Sequence, residues 1–197
     1  FGTGDDVRAS RGVPANGEDG LYAAGASFGV REQVTPRLSP PAIDAGYARE
    51  LFWDGRSGEA LVDPLSGQLV LAAGAALEAQ VLGPPLSTVE MGHDGRDWAD
   101  VVARVAAAGP LALADRIPQT LANWIAGRGY PELFEEAFGS PGVDPSRVAM
   151  AIASTACFSM PMKPCQCSAS HAAPCGSPPP SSISSFLTDA FFRSRIR

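Results

Sequence analysis

The sequence predicts a mainly α domain with long irregular connections in its first third and a disordered C-terminal tail. Three observations predict it. Between Arg96 and Ser154 apolar residues recur at helical spacing in four successive segments. Residues 1–45 are rich in Gly, Pro, Asp and Ser and keep no period, which reads as loops and short turns. Near Ser154 the composition changes abruptly: residues 1–154 hold 11 Arg, 20 Asp plus Glu and no Cys, whereas residues 155–197 hold all four Cys, nine Ser and six Pro. The net charge is −9 before that break and +3 after it, so the chain divides into 1–154 and 155–197.

Each element has its own warrant. A short helix is expected over "GYARELF" (46–52), and a turn with a brief hairpin at "DPLSGQLVL" (63–71). "AALEAQVL" (75–82) consists of good helix formers and stops at Gly83-Pro84-Pro85, where proline removes the N–H and locks φ. In "RDWADVVARVAAA", Trp98, Val101, Val102 and Val105 make one stripe. "PQTLANWIAG" places Leu121, Trp124 and Ile125 together and closes at Gly127 and Gly129. "YPELFEEAFG" has Pro131 at its start, Glu132 in its first turn and Gly139 at its end. "DPSRVAMAIAS" opens with Asp144 as N-cap and Pro145 at the first helical position, then buries Val148, Ala151 and Ile152.

Composition excludes some functions. The apolar fraction of 45% suits a soluble core, and no run approaches the about 18 apolar residues of a membrane span. A net charge of −6 argues against nucleic acid, whose phosphates want a basic face. Fourteen Arg against the single Lys163 point to GC-rich coding. The chain starts at Phe1 without Met or a charged-then-apolar leader, as a piece of a longer protein would.

Two segments can carry chemistry. In "QVLGPPLSTVEMG" (80–92), Gln80 and Glu90 stand ten positions apart around Pro84-Pro85. Such a segment is either an ordinary loop leaving a helix or one side of a pocket whose chemistry comes from a group the chain does not itself carry. In "ELFWDGR" (50–56), an Asp54–Arg56 pair beside a buried aromatic would brace a turn, or Trp53 would serve as a stepping stone for electrons. His93, in the polar run "GHDGRD", reads as a solvated side chain, with iron ligation the alternative, and Met91 reads as packing.

"SPPAIDAGYARELFWDGR" (39–56), "LEAQVLGPPLSTVEMG" (77–92), "YPELFEEAFG" (130–139) and "SRVAMAIA" (146–153) together resemble the N-terminal haem domain of the bacterial di-haem cytochrome c peroxidase family, which includes MauG-like enzymes. The resemblance covers roughly residues 20–154 and implies a cytochrome c-like helical haem domain. It implies Glu90 as the acid–base residue and Gln80 as its orienting partner on the distal side of the peroxide-reactive haem. It implies Trp53 as the electron relay, and Trp53, Pro84 and Met91 as residues lining the cofactor. The implied cofactor is haem c, the substrate hydrogen peroxide, the partner an electron-donor redox protein and the compartment the periplasm. A non-enzymatic helical interaction protein, in which these segments merely pack, is the alternative.

The chain departs from the family pattern in four places. Haem c is attached through C-x-x-C-H, and residues 1–154 contain no Cys, so the first motif is expected upstream of Phe1. Val30 stands where some relatives have a displaceable His ligand, which would leave the iron site open. Leu38 stands where an Asn helps to bind calcium, and a Leu side chain cannot, so calcium is doubtful. About seventeen extra residues near 57–73 separate Trp53 from Gln80, the kind of insertion a surface loop absorbs.

In the tail, the spacing C-x7-C-x-C-x7-C with His171 fits no zinc finger or ribbon, and "CSASH" (167–171) is one residue away from a haem attachment motif. A frame shift from about Thr155 accounts best for its Pro, Ser, Ala, Cys and Arg, with the cysteines accidental. A genuine Cys-rich binding tail and unfamiliar genuine sequence are the alternatives. Sequencing the gene decides: codons for E-R-T-L in another frame just after Ser154 are expected, and their absence would remove the frame-shift account.

Overall fold

The structure is a computed structural model that describes residues 9–39 and 44–158, with the backbone alone at 155–158. In chain order the elements are β1 (Arg11–Pro14), β2 (Glu32–Val34), a 3-10 turn (Ala45–Tyr47), β3 (Leu61–Val62), β4 (Leu69–Leu71), α1 (Ala76–Val81), α2 (Trp98–Ala107), α3 (Gln119–Ile125), α4 (Tyr130–Phe138) and α5 (Pro145–Phe158). β1 pairs antiparallel with β2, Arg11 opposite Val34, and β3 antiparallel with β4, Leu61 opposite Leu71. The described residues thus form five α-helices with two small antiparallel sheets, a mixed architecture in place of the mainly α one expected.

The helices lie where their stripes and caps put them. The Asp97 side chain accepts the Asp100 N–H at 2.8 Å to start α2, and Asp144 accepts that of Arg147 at 2.9 Å to start α5. Gly139 ends α4 at φ 81°, in the left-handed region that glycine enters without a Cβ penalty. The core joins Trp98, Val101 and Val105 of α2 to Tyr130 and Phe134 of α4 and to Val148 and Ala151 of α5. Tyr130 meets Phe134 edge-on with ring centroids 6.5 Å apart. Burial without a hydrogen-bond partner for its hydroxyl pushes the Tyr130 phenol up to about 12. Leu111 and Ile125 form a smaller cluster with Leu121 and Trp124.

Two expectations are corrected. The first 45 residues are not all loop, because β1 and β2 form a ribbon. Its strands are too short to show a period, and Thr35 ties them together by donating from its backbone N–H (2.9 Å) and hydroxyl (3.0 Å) to Ser10 O. The helix expected at 46–52 stops after its first turn. Ala48 is extended, and the Leu51 N–H donates to Ser57 O at 2.9 Å, closing a turn that holds Phe52 at φ 67° and Gly55 at φ 62°. Local Asp-Gly turn chemistry outweighs helix propensity there.

The hairpin expected at 63–71 is present. It is clamped by one buried carboxylate. Asp63 Oδ1 accepts from the N–H of Leu65 (3.0 Å) and from the N–H and hydroxyl of Ser66 (2.8 and 3.0 Å). Asp63 Oδ2 accepts from the N–H and hydroxyl of Ser146 (3.3 and 2.8 Å), in the first turn of α5. Burial pulls the carboxyl upward, but the donors from Ser66, Ser146 and Leu65 outweigh it and hold Asp63 below the usual carboxylate range. Below the clamp, Ser57 Oγ donates to Ala76 O at 2.7 Å and Ala75 N to Glu59 O at 2.9 Å, which sets the start of α1.

Replacing Asp63 by Asn turns one acceptor into a donor facing other donors, and is expected to cost about 2–4 kcal/mol in chemical unfolding at neutral pH. Because the folded carboxyl is depressed, its stabilisation is full above about pH 4 and is lost as pH falls through the depressed value. The parent and Asp63→Asn should therefore converge in acid; a constant difference would assign the cost to packing.

Candidate functional site

Three segments carry the residues singled out in the sequence. Gln80 lies in the last turn of α1, half-buried. From there the chain runs through a tight series of turns to Gly92. Gly83 N donates to Gln80 O (3.2 Å), Leu86 N to Gly83 O (3.1 Å) and Ser87 N to Pro84 O (3.2 Å). Ser87 O then accepts from three successive amides, those of Glu90 (3.1 Å), Met91 (3.1 Å) and Gly92 (2.6 Å). Pro84 is half-buried and Pro85 buried, so the Pro-Pro step is packed as well as stiff. Gly92 is required, because a Cβ there would stand 2.6 Å from Leu86 O.

Outside contacts hold this turn on two sides. The β1–β2 ribbon reaches it through Val13 N to Val89 O at 2.7 Å, and Gln33 Nε2 donates to Thr88 O at 2.9 Å and to Val13 O at 3.3 Å. Arg96 faces it from the α2 side, with Nη1 3.5 Å from Met91 O and Nε 3.2 Å from Asp100 Oδ2. The Arg104 hydrogen bond, followed by the charges of Arg104 and Arg96, holds Asp100 below its usual range despite some burial.

The side chains of Gln80 and Glu90 stay out of this network. Both are half-buried, and neither has a hydrogen-bond or ion-pair partner among the described residues. Met91 is half-buried at the end of the turn. Glu78, also on α1, is pushed up by burial, a half-buried carboxyl that the sequence alone did not single out. Gln80 and Glu90 are thus joined through one self-closed turn.

Trp53 belongs to a different one. The aromatic expected to be buried in "FWDGR" is not: the indole is 83% exposed, with the Arg37 guanidinium 5.2 Å from its ring centroid. Asp54 pairs with Arg37 at 2.9 Å and Arg56 at 3.0 Å, and the Arg37 hydrogen bond lowers its carboxyl most. Arg56 lies 3.6 Å over Phe52. The Asp–Arg brace exists, but its strongest partner is a residue 17 positions upstream that no local pattern announces. Ser57, at the foot of this turn, is what connects it to α1.

The residues present meet half of what a haem c site needs. His93 is mostly covered, with Nδ1 2.7 Å from Asp94 O and Nε2 4.0 Å from Asp100 Oδ2, so its ring is already engaged. No group of three or more His, Cys, Asp or Glu able to hold a metal exists among the described residues. Thiols for covalent attachment and an axial ligand are therefore not supplied by the described residues, whereas polar side chains free to face a bound group are. Cys165, Cys167, His171 and Cys175, the reading of the cysteines as accidental and that of the tail as disordered lie outside the described residues. Val30 and Leu38 are 65% and 73% exposed.

A family model described as di-haem cytochrome c peroxidase, with MauG in its name, matches residues 15–159. The match spans most of the chain, from just after β1 through α5, and the chain belongs to the di-haem cytochrome c peroxidase family. Comparison with curated proteins and with solved structures finds no match. Family membership brings haem c and oxidoreductase chemistry with it. Among the described residues no helix is long and apolar enough to cross a membrane.

Gly12 is where the ribbon meets the turn most closely, since a Cβ there would lie 1.8 Å from Val89 O. Gly12→Ala is expected to open the Val13–Val89 hydrogen bond at a cost of about 1–3 kcal/mol. Amide exchange at Val13 checks it, and unchanged protection would show that the ribbon is not pinned there.

Proposed function

We propose that this chain forms the distal side of a peroxide-reducing site, with Glu90 as the acid–base residue and Gln80 as the group that orients the substrate. The observation behind this reading is a pair of half-buried side chains, without a hydrogen-bond partner among the described residues, at the two ends of a turn in which six backbone N–H groups donate to the turn's own carbonyls. A rigid frame carrying free polar groups suits a site whose ligand arrives from solution.

The reaction is H2O2 + 2 electrons + 2 protons → 2 H2O. Haem, when bound, supplies the electrons and the seat for peroxide. The protein has to move a proton. The Glu90 carboxylate takes it from the peroxide oxygen that stays bound and returns it to the oxygen that leaves as water, acting first as base and then as acid. The Gln80 amide, both donor and acceptor, holds peroxide or water for that transfer. Pro84 and Pro85 limit the reordering that binding would otherwise require, and Pro84 and Met91 line the cofactor.

In the same reading the domain is cytochrome c-like, Trp53 relays electrons between the two haems of the family, and a redox protein in the periplasm donates them. A second reading, a non-enzymatic interaction protein, has one observation behind it: the α2–α4–α5 core closes without any cofactor.

Peroxide turnover by the haem-loaded protein tests both. Glu90→Gln should lower kcat by about 10²- to 10⁴-fold, the range typical of losing a positioned acid–base group. Turnover equal to the parent would take Glu90 out of the mechanism, and no turnover in the parent would favour the second reading.

A further inference from the structure

The turn that carries Glu90 is linked to the β1–β2 ribbon by a single side chain. Gln33, on β2, donates through one amide nitrogen to carbonyls on two segments, Val13 O of β1 and Thr88 O two residues before Glu90. Its –NH2 has two protons and faces two carbonyls, so the donor count matches the acceptors. Next to it the Val13 N–H reaches Val89 O at 2.7 Å, and further along the ribbon Asn16 O accepts from Asp94 N at 3.2 Å. Along Thr88–Asp94 the ribbon therefore contacts the turn on both sides of Glu90, and Gln33 is the only side-chain link among these described contacts.

We infer that Gln33 is a positioning residue for the Glu90 carboxylate, fixing Thr88 and Val89 so that the acid stands at one place on the turn; this rests on the assignment of Glu90 proposed above. The turn's internal bonds end on Gln80 O, Gly83 O, Pro84 O and, for three amides, Ser87 O; they close the loop on itself but do not set its place relative to the rest of the domain. The ribbon bonds set that place. Proton transfer falls off steeply when the acid moves by about an ångström, so losing the link should weaken catalysis more than it weakens binding or folding.

Two variants of similar length test it. Gln33→Met removes the donors, and Gln33→Glu puts a carboxylate against two carbonyl oxygens while keeping the shape. In the haem-loaded protein, Gln33→Met should lower kcat for peroxide about tenfold with KM changed less than about twofold. Gln33→Glu should be impaired at neutral pH and recover relative to the parent as pH falls, its kcat divided by the parent's at the same pH rising as the acid protonates, because –COOH can again donate to Thr88 O; the same ratio for Gln33→Met should stay flat. In the haem-free chain, amide exchange at Val13 should rise about tenfold in both variants at neutral pH. Glu90→Gln is run alongside. If it is impaired while both Gln33 variants turn over like the parent, Gln33 alone is overturned. If Glu90→Gln turns over like the parent, the assignment of Glu90 and this inference fall together. A Gln33→Glu profile without recovery in acid overturns the inference even if kcat is reduced.

Discussion

The Asp63 carboxylate is the constraint on which the arrangement of the domain depends. Its two oxygens receive five donors from segments more than 80 positions apart in sequence, and one of those segments is the first turn of α5. A helix N-terminus offers unpaired N–H groups and partial positive charge, so a carboxylate placed there is held both by hydrogen bonds and by the dipole. α5 needs such a partner on the hairpin side, since its own cap, Asp144, satisfies Arg147 N. With Asp63 in place the β3–β4 hairpin cannot drift, Ser57 and Glu59 at its foot meet the start of α1, and α1 packs on α5 with Gln80 in its last turn. The segment between Trp53 and Gln80 thereby becomes a strut.

The second constraint is the turn from Leu82 to Gly92. Ser87 O collects three amides, two prolines remove donors that would otherwise need partners, and a glycine allows the backbone to pass within touching distance of Leu86. The result is a braced segment whose end side chains, Gln80 and Glu90, have no hydrogen-bond partner among the described residues. That division of labour suits a peroxide site, where the frame must not move and the functional groups must be free to engage a ligand. It also separates the roles of neighbouring charges. Arg96 and Asp100 brace the turn from α2, whereas Arg37, Asp54 and Arg56 brace the Trp53 turn on the surface.

Much of the helical half was legible in the sequence. The Trp98, Val101, Val105 stripe, the Asp144 cap and the Gly139 stop are local signals, and local signals survive folding when no distant partner competes with them. The hairpin was legible at 63–71 for the same reason: its Asp-Pro-Leu-Ser-Gly run specifies a turn. The β1–β2 ribbon was not, because its strands span three and four residues and are held by Thr35, Gln33 and Val13 through partners far away in the chain. The 46–52 helix was misread because its propensity was weighed without the Leu51–Ser57 bond that closes the Asp-Gly turn.

By itself the sequence singled out Gln80, Pro84, Pro85 and Glu90 as the candidates and set their spacing, since they are a local pattern with a local backbone consequence. It also determined the family, because the order of short motifs is a property of the string. Only the tertiary structure decided that Asp63 clamps α5, that Arg37 rather than Arg56 is the strongest partner of Asp54, that the Trp53 indole stands in solvent and that Gln33 grips the Glu90 turn. Each of these is a contact between residues distant in the chain, created by chain closure and settled by desolvation and hydrogen-bond geometry, quantities that no window of neighbouring residues contains.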